Sequence, residues 1–348
     1  MDRVGDNGLG RLCSMFQQGV KVVGEAVPGF IRATKEKFSK IPSDCVSLMH
    51  SAEPLVRALV SSSDAFTSGK IFPEHPPVHI DDMFKEWSSE RIDFVRAHCM
   101  KTLEECAGNG VTSIESSDKV FVARSELSPD ISVIRAREFG FILPEGIDER
   151  MRCNPNLRIK PLIIRCFGVG SGSPLAQIQE GVSNVLALSA DRLNSANTLV
   201  LSHIQSVQQR FEFDSNVLVV PFITGFSLGG MFASAIAVKN NITSMVFNGL
   251  GLGKGGCDFV GQVNWARAQQ HLNSHIAMFV DHDFVASPDS PWRSVIRIPG
   301  RIFRIPRRET TKPTIAEMFE IHFYKKYFDQ AYQEYLTPHP RAGGRLVA

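Results

Sequence analysis

What this chain lacks narrows its chemistry. No run approaches the roughly 18 apolar residues of a membrane span, so no transmembrane segment is expected. Its first residues, MDRVGDNGLGRLCSMFQQG, place charges where an apolar signal segment would lie. The chain is therefore expected in the cytoplasm, or exported without a cleaved signal peptide. The seven cysteines (13, 45, 99, 106, 153, 166 and 257) are odd in number and include no Cys-X-X-Cys pair. Neither a zinc knuckle nor a redox dithiol is implied, and the thiols read as reduced. A surplus of one charge is missing too: 38 basic against 36 acidic side chains leave a formal net charge of +2. That balance gives no reason to expect a nucleic-acid partner. No metal and no organic cofactor is implied, and the oligomeric state is not legible.

What is present is enough for a folded enzyme or binding domain. A length of 348 residues with 43% hydrophobic side chains suffices to bury a core. Residues 1–115 read as a helical N-terminal region, with apolar positions recurring at Phe16, Val20, Val23, Val27, Phe30 and Ile31, and again at Met83, Trp87, Ile92, Val95 and Leu103. Breaks at IPSD (41–44) and FPEHPPVH (72–79) separate these blocks. Segment 14–40 is amphipathic and basic; packing against the core is expected, with an anionic membrane surface as the alternative. From about residue 118 short β-rich runs alternate with helical patterns, which predicts an α/β domain over 116–348. Strands are expected at 120–123, 160–167, 216–222, 243–247 and 275–280, and helices at 175–190, 195–212, 228–239, 262–272 and 314–335.

One motif within that pattern carries chemistry. Gly225-Phe-Ser227-Leu-Gly229 fits G-X-S-X-G, follows the apolar run 217–223 and precedes the small-residue helix Gly230-Met-Phe-Ala-Ser-Ala-Ile-Ala-Val. A strand, a glycine-softened turn and a helix form the context of a nucleophile elbow, in which the serine projects from the bend. The alternative is a tight strand-to-helix turn with a capping serine.

A serine hydroxyl needs a base to take its proton and a carboxylate to orient that base. In α/β-hydrolases the chain order is Ser, then acid, then His. Phe279-Val-Asp281-His-Asp283 follows a predicted strand, making Asp283 the first candidate acid, Asp281 the alternative and Asp258 a distant third. Five histidines follow Ser227, at 271, 275, 282, 322 and 339. The first two precede the acid, and His282 sits between the aspartates with little room to reach back. His322 is the leading base because it follows the acid inside a predicted helix, on one face with Ile315, Met318 and Phe319. A packed core histidine is the competing reading. The oxyanion needs N–H donors: Leu228, directly after the serine, and the glycine-rich loop 167–173, where Val169 and Gly170 are the candidates.

The order and spacing of FITGFSLGGMFASAIA, MVFNGLGLG, HIAMFVDHDFVAS and a later histidine are similar to class 3 lipases and related α/β-hydrolases, over about residues 158–330. The resemblance implies an α/β-hydrolase-like domain: a mostly parallel sheet with helices on both faces, preceded by the helical N-terminal region. It also implies a Ser227–Asp283–His322 triad acting on an acyl ester or lipid. Two departures stand out: Phe226 occupies the place where these lipases usually have histidine, and no Arg-Gly-Thr follows the oxyanion strand. In texture, the long helical N-terminal part is also similar to a group of chlamydial proteins.

Two lookalikes are set aside. Gly251-Leu-Gly253-Lys-Gly-Gly256 matches G-X-G-X-X-G without an early βαβ unit and an acidic residue in the right place, and Lys254 is followed by glycine rather than the Ser or Thr of a P-loop. The basic stretch from Arg293 to Lys312 reads as a solvated face, with anionic lipid or a phosphorylated substrate as the sharper alternative. The expectation is a serine esterase or lipase-like hydrolase. Its rival is a catalytically silent α/β-hydrolase scaffold used for binding, for example as a secreted bacterial effector.

Overall fold

The computed structural model describes residues 72–103, 112–116, 121–168, 190–283, 296–307, 321 and 325–336. Among these, nine strands form one sheet: β1 (Val78–His79), β2 (Thr112–Glu115), β3 (Val122–Leu127), β4 (Ile131–Ser132), β5 (Arg158–Gly168), β6 (Val217–Phe226), β7 (Thr243–Phe247), β8 (His275–Val280) and β9 (Arg301–Ile305). The spatial order is β1-β9-β8-β7-β6-β5-β3-β2, with β4 also paired to β5. From β5 across to β1 every pair is parallel, whereas β2, β3 and β4 add antiparallel pairings on the far side of β5. The result is an α/β fold with a mixed, mostly parallel sheet.

Nine α-helices are described: α1 (Ile80–Glu86), α2 (Ser89–Phe94), α3 (Val133–Glu138), α4 (Ile147–Cys153), α5 (Ala190–Arg210), α6 (Leu228–Asn240), α7 (Lys254–Val260), α8 (Gln262–Gln270) and α9 (Lys325–Leu336). Strands β5 to β9 step across the sheet in one direction, so right-handed crossovers put their connecting helices on one face. There α5, α6, α7 and α8 bury Leu193, Val200, Met231, Ile236, Val260 and Trp265 in one core. Helices α1, α2, α3, α4 and α9 cover the other face, with Met83, Ile92, Val133, Ile147 and Phe328 in a second core.

Side chains alternate between these layers as a pleated strand requires. On β5, Leu162, Ile164 and Cys166 join the first core, and Ile159 and Ile163 the second. On β8, Ala277 and Phe279 face one way and Ile276, Met278 and Val280 the other. This two-sided burial is why the central strands read as unbroken apolar runs.

Helix α6 is apolar on every side and buried from Leu228 to Val238, as befits a helix enclosed by β5, β6, β7 and its neighbours. It stops at Asn241, whose left-handed φ of 55° lets the Ile242 N–H donate to the Ala237 carbonyl (2.9 Å). Ser88 and Ser132 cap α2 and α3 by accepting from the Arg91 and Arg135 N–H groups.

Several expected elements are displaced. Strand 120–123 lies instead at 122–127, and helix 195–212 runs from 190 to 210. The helix expected at 175–190 lies outside the described residues except for Ala190, which opens α5; of 314–335, residues 325–335 fall in α9 and Ile321 is described. The basic stretch from Arg293 to Lys312 contains β9, where Ile302, Phe303 and Ile305 are buried between arginines. The sheet also takes in residues before the expected domain start at 116: β1 pairs with β9 and β2 with β3.

Candidate active site

All the parallel strands end at one edge of the sheet, the edge at which open α/β sheets bind ligands. Ser227 stands there between β6 and α6 with φ 53° and ψ −126°, a conformation L-residues rarely adopt. Such strain persists only where the surroundings over-determine it. Here the Ser227 N–H donates to the Phe247 carbonyl (3.3 Å), and the Ser227 carbonyl accepts from Gly230 N–H (3.0 Å) and Leu250 N–H (2.9 Å). The serine is thus tied to the end of β7 and the loop beyond it, while its side chain is only half-buried.

The glycines around it are imposed by close approach. A Cβ at Gly229 would lie 2.0 Å from the Cys166 carbonyl oxygen, and one at Gly225 would lie 2.4 Å from the Gly229 oxygen. The first turn of α6 is therefore pressed against the end of β5. A Cβ at Gly230 would meet Gly249 Cα at 2.6 Å, which holds the same turn against the loop after β7. The G-X-S-X-G pattern is a packing requirement as well as a motif.

Leu228 opens α6, so its N–H is one of the four without a partner inside the helix. Strand β5 ends at Gly168 beside this turn, and Val169 and Gly170, which follow it, lie outside the described residues.

The two aspartates after β8 have different environments. Asp281 donates its N–H to the Ile305 carbonyl (2.9 Å), and its carboxylate is ion-paired with Arg304 of β9. Asp283 is buried to 1% exposure, and its N–H closes a turn onto the Val280 carbonyl (3.1 Å). His282 between them takes a left-handed φ of 63° and is exposed. Strand β7 alone separates β6 from β8. Ser227 and the aspartate turn therefore sit about two strand spacings apart, roughly 10 Å.

Of the other histidines, His271 and His275 are at the opposite, amino edge of the sheet. His275 is fully buried against Ser244 Oγ (3.1 Å), and burial pushes its pKa down to about 3. His322 and His339 lie outside the described residues, but Ile321 is described and fully buried. Asp258 is on α7, after β7, and is exposed. Cys99 and Cys166 are buried among apolar groups; desolvation raises both thiols, which makes them poor nucleophiles.

Behind the turn, on the face of α1 and α2, lies a compensated polar cluster. Arg165 of β5, with no exposure, pairs with Glu126 (2.8 Å), and that bond holds the Glu126 carboxyl below its usual range. Burial pushes the neighbouring His98 down. Thr224, three residues before the serine, shares a hydrogen bond with Thr102 (3.2 Å).

Sequence reasoning overlooked Asn248, the first residue after β7. It is fully buried with φ 40°; its Oδ1 accepts from Val280 N–H (3.0 Å), and its Nδ2 donates to the Ile321 carbonyl (3.1 Å). The Asn-Gly pair after an apolar strand marks such a turn, but nothing local marks its partners. Among the described residues no group of three or more His, Cys, Asp or Glu side chains could hold a metal ion. No helix among them is long and apolar enough to cross a membrane. No protein-family model matches the chain, and comparison with curated proteins gives no match either.

Proposed function

We propose that this protein is a serine hydrolase of the α/β-hydrolase type, cleaving an ester of a lipid or another acyl group. The observation that carries the reading is the backbone of Ser227: φ 53° and ψ −126° between a central parallel strand and a buried helix, with glycines that tolerate no larger residue on either side.

In this reading Ser227 Oγ attacks the ester carbonyl carbon while His322 takes the hydroxyl proton. The tetrahedral oxyanion is held by the Leu228 N–H and by donors of the loop after β5, for which Val169 and Gly170 are the candidates. The carbon–oxygen bond to the alcohol then breaks, and the alkoxide leaves with the proton from His322, forming an acyl-Ser227. Water repeats the sequence in reverse and frees the carboxylic acid. Asp283, buried in the turn after β8, orients and stabilises the imidazolium, with Asp281 as the alternative acid.

A fluorophosphonate probe tests the proposal, because an activated serine is phosphonylated and an inert one is not. Labelling that maps to Ser227 and disappears in Ser227→Ala is expected. An unlabelled, folded protein would instead favour a catalytically silent binding scaffold.

A further inference from the structure

We infer that Asn248 is a positioning residue of the proposed site, its carboxamide fixing relative to one another the segments that carry the serine, the acid and the base. The inference rests on the serine-hydrolase reading. Its ground is where the three ends of one small residue go. The backbone N–H of Asn248 donates to Met278 of β8 (2.9 Å), and Oδ1 accepts from Val280 (3.0 Å), three residues before Asp283. Nδ2 donates to the carbonyl of Ile321 (3.1 Å), the residue that directly precedes His322 in the chain. Two residues further on, Leu250 N–H holds the Ser227 carbonyl (2.9 Å). One buried turn thus touches the serine's own peptide, the strand that leads into the aspartates, and the chain next to the histidine.

The orientation of the amide follows from its partners, since a peptide N–H can only donate and a carbonyl can only accept. Asparagine suits the position twice over. It supplies a donor and an acceptor on one short side chain, and it tolerates the left-handed φ of 40° better than most residues. Leucine would lack both hydrogen bonds, and aspartate would keep the acceptor toward Val280 while turning an oxygen toward the Ile321 carbonyl. Alanine would confound a lost bond with backbone strain, so the informative variants are Asn248→Asp and Asn248→Gly.

The experiment measures fluorophosphonate labelling of the full chain as a function of probe concentration, which separates the maximal rate kinact from the probe affinity KI. In this reaction the serine Oγ–phosphorus bond forms, fluoride leaves and the hydroxyl proton passes to the base. Its rate therefore reports the alignment of serine and base rather than probe binding. Both variants are expected to melt cooperatively and to lose kinact by on the order of 10²-fold, the effect of a small misplacement of catalytic groups, with KI unchanged. A wild-type kinact in either folded variant, or a loss confined to KI, overturns the Asn248 assignment and leaves the hydrolase reading standing. Failure of both variants to fold gives Asn248 a purely structural role and overturns the assignment as well. Absence of labelling in the wild-type chain overturns the hydrolase reading and this inference with it.

Discussion

A hydroxyl is a poor nucleophile until its backbone aims it and a neighbouring base draws off its proton. In the proposed hydrolase, backbone hydrogen bonds of Ser227 with Phe247, Gly230 and Leu250, and glycines that let α6 press on β5, do that aiming. Gly229→Ala would drive a Cβ to 2.0 Å from the Cys166 oxygen, a backbone atom that cannot swing aside. A stability loss above about 3 kcal/mol is expected in thermal melts, at or beyond the upper end of overpacking costs. Gly146→Ala, whose Cβ meets nothing within 4 Å but whose φ is 72°, should cost only about 1–2 kcal/mol. Similar losses at both sites would contradict the packing argument. The two aspartates make a second residue-scale test. Asp283→Asn should reduce labelling of Ser227 by several orders of magnitude, toward the roughly 10⁴-fold seen when the orienting aspartate of a serine protease is replaced. Asp281→Asn removes the charge of a buried carboxylate paired with a half-exposed arginine and should cost about 1–3 kcal/mol, with labelling near wild type. The reverse ranking would transfer the role to Asp281.

At the scale of elements, the central strands and the serine turn were legible because their signals are local. Strands β6, β7 and β8 are short apolar runs closed by loops, and the turn after β6 carries its own glycines. Strand β9 was hidden because its buried Ile302, Phe303 and Ile305 alternate with Arg301 and Arg304, and the arginines dominate the composition. Those arginines meet carboxylates, Arg301 with Glu86 of α1 and Arg304 with Asp281, so the charge belongs to the sheet's packing. Strand β1 is two residues long and β2 reads Thr-Ser-Ile-Glu, neither of which stands out from a loop. Asn248 was illegible for a different reason: its side-chain partners lie 32 and 73 residues away. Docking of α9 depends on Phe328, which is buried and meets Phe84 edge-on at 5.8 Å between ring centres. Phe328→Ala should cost about 3–5 kcal/mol in urea unfolding, and a loss below about 1 kcal/mol would show that α9 is not anchored there.

Across the whole molecule, stability should depend on pH through a group far from the serine. His275 is buried at the amino edge, and burial holds its pKa near 3 in the folded state against an ordinary value of 6.5. Between those values the unfolded chain binds a proton that the folded chain refuses. Stability is therefore intact above pH 6.5 and falls as the pH drops toward 3, by about 1.4 kcal/mol per unit from this group alone. Denaturant unfolding at stepped pH, compared between wild type and His275→Gln, isolates the contribution: the variant should show the shallower acid slope. Equal slopes would mean that His275 accepts its proton without unfolding.

These features place a strained serine at the carboxyl edge of a parallel sheet, with a buried aspartate two strands away and the chain beside His322 anchored between them. The most direct measurement of what that arrangement does is fluorophosphonate labelling of the full chain with the modified peptide identified by mass spectrometry. The account predicts one phosphonylated residue, Ser227, with labelling abolished in Ser227→Ala and in His322→Ala while both variants remain folded. A folded wild-type chain that takes up no probe, or one whose Ser227 labels equally well without His322, would contradict it.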